Sequence, residues 1–169
     1  MFYFSVTPIA TLTAVPKRTL ELSIRLASHM NHFELHPQLL FDCHRLGSFD
    51  LCYLLLHKNA AVPWFILVPE TDARDLLDLP EELRTAAMNE AAAVSDFVKK
   101  ILHYPKTNFA AIGNVVPQLH LHVVGRKPGD PCWPAPVWSH LTDGPEYSAA
   151  RLKEVASLLV QHCGLNPLK

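Results

Sequence analysis

Gln118, His120 and His122 alternate with Leu119, Leu121 and Val123 in the middle of an apolar stretch. Successive side chains of a β-strand point to opposite faces. An extended segment over 118–125 therefore puts the two imidazoles and the amide on one face and the aliphatic groups on the other. The apolar face can pack on a core while the polar face looks into a cleft. Folding alone does not ask for two imidazoles side by side on a buried strand, so the pattern points to chemistry. Three readings fit it. The pair could ligate a metal. Both could be hydrogen-bonded structural histidines. Or one could be a nucleophile and its neighbour a proton donor. The flank favours the third, because Gly113-Asn114 can turn the chain tightly and expose backbone N–H groups, which are good anion ligands. The motif holds no obvious third metal ligand, and a catalytic zinc usually takes three. No metal and no cofactor is expected.

The elements that must hold this segment can be read from the rest of the chain. Leu51–Leu56 is a continuous apolar run, broken by the turn-prone His57-Lys58-Asn59-Ala60, and Trp64–Val68 is a second run stopped by Pro69. Together they predict a buried β-hairpin. Pro80-Glu81-Glu82 has the signature of a helix start, with proline in the first turn and acids at the positive end of the dipole. Leu83, Ala87, Ala91, Val94, Phe97, Val98 and Ile101 continue at helical spacing, so the helix is predicted to run to about His103, before Pro105. Phe109–Ile112 and Gln118–Gly125 are the next two predicted strands, joined through the Gly113 turn. Arg126–Val137 contains four prolines and is expected to be an irregular loop. Tyr147–Cys163 is a second predicted helix, with Gly164 as its stop. Strand–strand–helix–strand–strand–helix implies an antiparallel sheet with two main helices, an α+β fold.

Composition narrows the function. The 169 residues are 49% apolar and 18% charged, with a net charge of −1. That is enough chain for one real core, and no basic field that would attract a nucleic acid polymer. The four cysteines, Cys43, Cys52, Cys132 and Cys163, form no Cys-x-x-Cys pair. They read as reduced thiols, and a cytoplasmic location is expected. Met1–Val15 is apolar but has no preceding basic residues and is interrupted by Ser5, Thr7, Pro8, Thr11 and Thr13. It fits neither a secretory signal nor a membrane span, so no membrane partner is expected. Residues 1–30 are left as an unassigned N-terminal extension.

Gln118-Leu119-His120-Leu121-His122-Val123-Val124 resembles the His-φ-His-φ-His-φ-φ signature of the histidine-triad (HIT) superfamily of nucleotide hydrolases and transferases, with glutamine at the first histidine. The resemblance extends to the Leu51–Pro69 hairpin, to Asn108 and the Gly113-Asn114 turn, and to the Pro-Trp-rich segment through Trp138. It implies a HIT-like domain over 31–140, with 141–169 a helix packed on it, and a homodimer. It also implies attack of His120 on a nucleotide α-phosphate to form a covalent nucleotidyl-histidine, which water then cleaves. His122 would donate to a phosphate oxygen. Gln118 would orient its neighbours, since an amide neither gives nor takes a proton at neutral pH. By the same resemblance Asn108, Gly113, Asn114, the backbone of Val115 and His57 are the nucleotide-binding candidates. The substrate class is a nucleoside phosphate ester, phosphoramidate or dinucleoside polyphosphate. A nucleotide-binding module with weak or no catalysis is the alternative.

Overall fold

The computed structural model describes residues 33–168; the expected extension over 1–30 lies outside the described residues. The described part is built on one antiparallel sheet. Helix α1 (Pro37–Asp42) leads into β1 (Cys43–Ser48), β2 (Cys52–His57) and β3 (Trp64–Pro69). Helix α2 (Glu81–Lys100) follows, then β4 (Lys106–Ala111), β5 (Leu121–Arg126), α3 (Ala149–Cys163) and a two-residue β6 (Asn166–Pro167). The strand order is β4-β5-β3-β2-β1-β6. The class is α+β, as the element pattern predicts.

Residues paired across antiparallel strands share a face. The pairs Leu67↔Leu121, Phe65↔Val123, Phe109↔Val123 and Thr107↔Gly125 therefore define one side of the sheet. This is the side that receives α2. That helix buries Ala87, Ala91, Val94, Phe97 and Val98, a stripe at helical spacing. Phe97 meets Phe65 edge-on with ring centres 5.9 Å apart, and Ser95 hydrogen-bonds Thr107 at 2.8 Å. Gly125 permits this approach, because a Cβ there would come within 2.8 Å of a Val98 methyl and 2.6 Å of Pro63. Charges suit the helix dipole, with Glu81 and Glu82 in the first turn and Lys99 and Lys100 in the last. Helix α3 starts at Ser148, whose hydroxyl accepts from the Arg151 N–H, and stops at Gly164 in the left-handed region.

Three features depart from the sequence expectation. Strand β5 begins at Leu121, not Gln118. Both of its neighbours stop pairing there, β3 at Leu67↔Leu121 and β4 at Ala111↔Leu121, so residues 118–120 have no ladder to join. Helix α2 ends at Lys100, and His103 then takes a positive φ of 60°. Strand β1 was not anticipated, because Cys43–Ser48 mixes polar and apolar residues without alternation and carries a register shift between Arg45 and Gly47. All four cysteines are free thiols. Burial pushes the Cys43 thiol up to about 12. Among the described residues no helix is long and apolar enough to cross a membrane.

Candidate active site

The second face of the sheet carries the polar residues. The register sets Tyr53, Leu55 and His57 of β2, Trp64, Ile66 and Val68 of β3, His122, Val124 and Arg126 of β5, and Asn108 and Ala110 of β4 on this side. His122 is thus placed by the strand period, as the sequence predicts. His120 arrives by another route. It precedes β5, and its ring is turned back so that Nδ1–H donates to the Gln118 carbonyl at 2.7 Å. The two imidazoles still meet, centres 4.7 Å apart and nearly perpendicular. Both are buried, at 6% and 5% exposed, which is unusual for such polar rings.

Gln118 does not share the strand face with them. Its side-chain oxygen accepts from the His36 N–H at 2.8 Å, and its side-chain nitrogen donates to the Glu34 carbonyl at 2.9 Å. The amide mimics a strand partner for the 34–36 segment, and it is the Gln118 backbone that touches His120. His36 itself caps α1, its Nδ1 accepting from the Gln38 N–H.

Trp64 is the central residue that the sequence reading passed over, because a tryptophan inside an apolar run reads as core. Its indole N–H donates to His122 Nδ1 at 2.9 Å in a buried contact. It also stacks on His57, with centres 4.7 Å apart and planes 14° off parallel. Trp138, from the proline-rich loop, closes over both, edge-on at 5.8 Å from Trp64 and 5.4 Å from His122. Its own buried N–H has no partner among the described residues. Val137 beside it is buried too, at 1% exposed.

Two cavities lie near the histidines, though neither is lined by His120 or His122 itself. A cavity of about 560 Å³ is bounded by Phe41, His57, Asn59, Trp64 and Val137. Another of about 460 Å³ is bounded by Arg74, Ile112, Gly113 and Asn114. Trp64 lines the first and donates to His122, while Ile112 lines the second and offers its carbonyl to the same ring. Arg74 makes no ion pair among the described residues. Gly113, Asn114 and Val115 are exposed, Val115 at 87%. Gly113 and Asn114 line the second cavity, whereas Val115 does not border it.

Asn108 is drawn away from the histidines. Its side-chain oxygen accepts from Arg126 Nη1 at 2.8 Å. The Arg126 guanidinium is 1% exposed and grips Asp130 through Nε and Nη2 at 2.7 and 3.0 Å. It also donates to the Ala135 carbonyl at 2.9 Å. The Asp130 carboxyl feels burial pushing it up, but the Arg126 hydrogen bonds and the N–H groups of Lys127 and Cys132 outweigh that and hold it below its ordinary range.

Burial keeps the histidines neutral. Desolvation lowers His120, helped by the nearby His36 and opposed by the Gln118 carbonyl. Desolvation and then the neighbouring His120 lower His122 to about 3. His57 is also lowered by burial, against a pull from Asp42. Among the described residues no group of three or more His, Cys, Asp or Glu side chains is arranged to hold a metal ion.

Comparison with known proteins identifies the fold. The HIT domain model matches residues 40–129. A histidine triad protein from Marinobacter aquaeolei VT8 is 38% identical, covering 79% of this chain and 98% of that one, with a TM-score of 0.73. Histidine triad proteins from Bradyrhizobium japonicum (35% identical, 77% and 97% covered, TM-score 0.72) and Sinorhizobium meliloti 1021 (31%, 79% and 98%, 0.75) are similar over the same span. A search of curated proteins found no match. A domain match over more than half of the sequence, with relatives above 30% identity covered almost end to end, establishes that this chain belongs to the histidine-triad (HIT) family, a superfamily of nucleotide-binding proteins, hydrolases and transferases.

Proposed function

We propose that the protein is a nucleotide hydrolase or nucleotidyl transferase in which His120 Nε2 attacks the α-phosphorus. One observation carries this reading. A carbonyl oxygen can only accept, so the bond from His120 Nδ1 to the Gln118 carbonyl places the ring proton on Nδ1 and leaves a lone pair on Nε2. The ring is held, buried and neutral, with its nucleophilic nitrogen unspent. The Nε2 lone pair forms a new P–N bond to the ring as the bond from phosphorus to the leaving group breaks, P–O in an ester or polyphosphate and P–N in a phosphoramidate. Water then cleaves the P–N bond, releasing the nucleotide and restoring the imidazole.

The surrounding residues take supporting parts. His122 donates a hydrogen bond to a phosphate oxygen as charge develops there. Gln118 stands at the first triad position and acts through its backbone, holding His120. The nucleoside occupies the larger cavity against Phe41 and His57. The phosphates lie toward the second cavity, where the Gly113-Asn114 turn with the Val115 backbone and the Arg74 guanidinium offer donors to an anion. Asn108 contributes by anchoring Arg126. The reaction uses no protein-held metal. Its substrates are nucleoside phosphate esters, phosphoramidates or dinucleoside polyphosphates.

A second reading, a nucleotide sensor with weak turnover, is favoured by the low value of His122, which makes it a poor source of a proton for the leaving group. Rapid alkaline quench of the protein with substrate, followed by intact mass measurement, separates the two. An adduct of one nucleoside monophosphate mapping to His120 is expected. Tight nucleotide binding with no adduct and no turnover would leave the sensor.

We further propose a homodimer in a reducing, cytoplasmic compartment. Among the described residues strand β4 is paired on one side only, and it presents Phe109 at 44% and the adjoining Ile112 at 36% exposure. An apolar unpaired edge of this kind invites a partner. Phe109→Lys is expected to give monomer in sedimentation experiments, and an unchanged mass would refute the assignment.

A further inference from the structure

We infer that Trp64 is a positioning residue for the reaction. Its indole N–H, by donating to His122 Nδ1, locks His122 as the Nε2–H tautomer and so aims its only proton at the phosphate side of the cleft. The inference rests on the phosphoryl-transfer reading above for its consequence, but its physical content is independent of it.

An indole nitrogen is a donor and never an acceptor. The 2.9 Å contact between Trp64 Nε1 and His122 Nδ1 therefore requires a bare lone pair on Nδ1. A neutral ring must then carry its proton on Nε2, and the imidazolium form is disallowed because it would set N–H against N–H. The remaining ring nitrogen faces the Ile112 carbonyl, at the end of β4 where the Gly113-Asn114 turn begins. His122 thus touches one lining residue of each cavity, with its acceptor nitrogen on Trp64 and its donor toward Ile112 and the turn.

Trp64 is itself held by several neighbours. It is on a central strand, pairs with Val124, stacks on His57 and meets Trp138 edge-on. At 9% exposure it is buried, with its open side toward the larger cavity. The titratable groups whose charge acts on His122 are His120 and His57. Ala110, Ile112 and Trp138, the other residues around the ring, bring no charged side chain. With both histidines pushed toward the neutral form, the indole donor and the Ile112 carbonyl acceptor select the same tautomer of His122, and the indole alone opposes a proton at Nδ1. The same bond blocks protonation at Nδ1, consistent with the strong lowering of His122.

The test is the ring state of His122 read by two-bond ¹H–¹⁵N correlation in the intact protein, with and without the indole N–H. In the wild type, Nδ1 is expected to be bare, Nε2 protonated, and the ring unchanged from neutral pH down to well below the ordinary histidine range. Trp64→Phe removes the donor. Replacement of Trp64 by benzothienylalanine removes only the N–H and keeps the bicyclic shape, so it answers the question even where phenylalanine leaves the protein unfolded. In either variant His122 is expected to accept a proton at Nδ1 as well, losing its strict Nε2–H tautomer and titrating at higher pH than in the wild type. Turnover number on a nucleoside phosphoramidate should fall by roughly tenfold or more, as for partial loss of a donor to developing charge. A wild-type His122 protonated on Nδ1 would overturn the inference. So would a benzothienylalanine variant with the wild-type tautomer, titration and turnover number. Should the wild type turn over no nucleotide, the functional reading fails, and the tautomer measurement still decides the role of Trp64.

Discussion

His122 and Arg126 sit four residues apart on the same face of the same strand, both almost fully buried, yet they are built to opposite ends. Arg126 spends its donors on Asp130, Asn108 and the Ala135 carbonyl. Asp130 in turn accepts from two backbone N–H groups. Such a saturated cluster has nothing left to offer a ligand. It fastens the loop after β5, the loop that brings Val137 and Trp138 over the site. The histidine pair is different. His122 accepts from Trp64 at Nδ1 and turns its other nitrogen to the Ile112 carbonyl, whereas His120 has only Nδ1 committed, and its Nε2 lone pair makes no bond within the described residues. Burying a polar group without a partner costs stability, so a buried group held with spare capacity marks where chemistry is done. The fully satisfied one marks where structure is held.

Mutations that strike one cluster and spare the other test that division. The largest effect is expected for His120→Ala. It should remove nucleotide turnover altogether, since the route through a covalent intermediate is gone, while urea unfolding stays close to wild type. Turnover within a few-fold of wild type would show that the spare lone pair is not the nucleophile. Asp130→Ala should do the reverse. It leaves a buried guanidinium without its counter-charge, which typically costs ~3–5 kcal/mol, read as a lower urea midpoint. A loss of under ~1 kcal/mol, the range of exposed ion pairs, would mean that the cluster is not the anchor described.

Acid should affect both function and stability through the histidines. His120 lies below its ordinary value of 6.5, so turnover is expected to hold steady as pH falls to about that value and to drop only below it, as the nucleophile protonates. His122 has a folded value of about 3 against 6.5 in the unfolded chain. Between those values the unfolded state binds more protons, so stability rises with pH across the window and is lost as pH falls from 6.5 toward 3. A flat unfolding free energy over that range would contradict the neutral, buried assignment. Gln118→Ala is expected to have the smallest effect on the chemistry. Two hydrogen bonds to the 34–36 backbone are lost, worth roughly 1–3 kcal/mol together. Turnover should stay within about tenfold, less than the ~100-fold that removal of an acid–base group commonly brings. A hundredfold loss would assign the amide a direct part.

The sequence by itself determined the α+β class, the hairpin, the two long helices and the segment that holds both histidines, because apolar periodicity and capping residues are local signals. It placed His122 correctly for the same reason, since a two-residue period is all that its facing requires. Only the tertiary structure decided the rest. The ladders on either side of β5 both end at Leu121, and that turned Gln118 away to the 34–36 segment and folded His120 back onto a carbonyl. Trp64, 58 residues upstream of His122, became its partner because β3 lies beside β5. Asn108 was claimed by Arg126 across the β4–β5 ladder. Which atom of a polar side chain is spent and which is spare depends on neighbours distant in sequence, and no spacing rule within a motif carries that information.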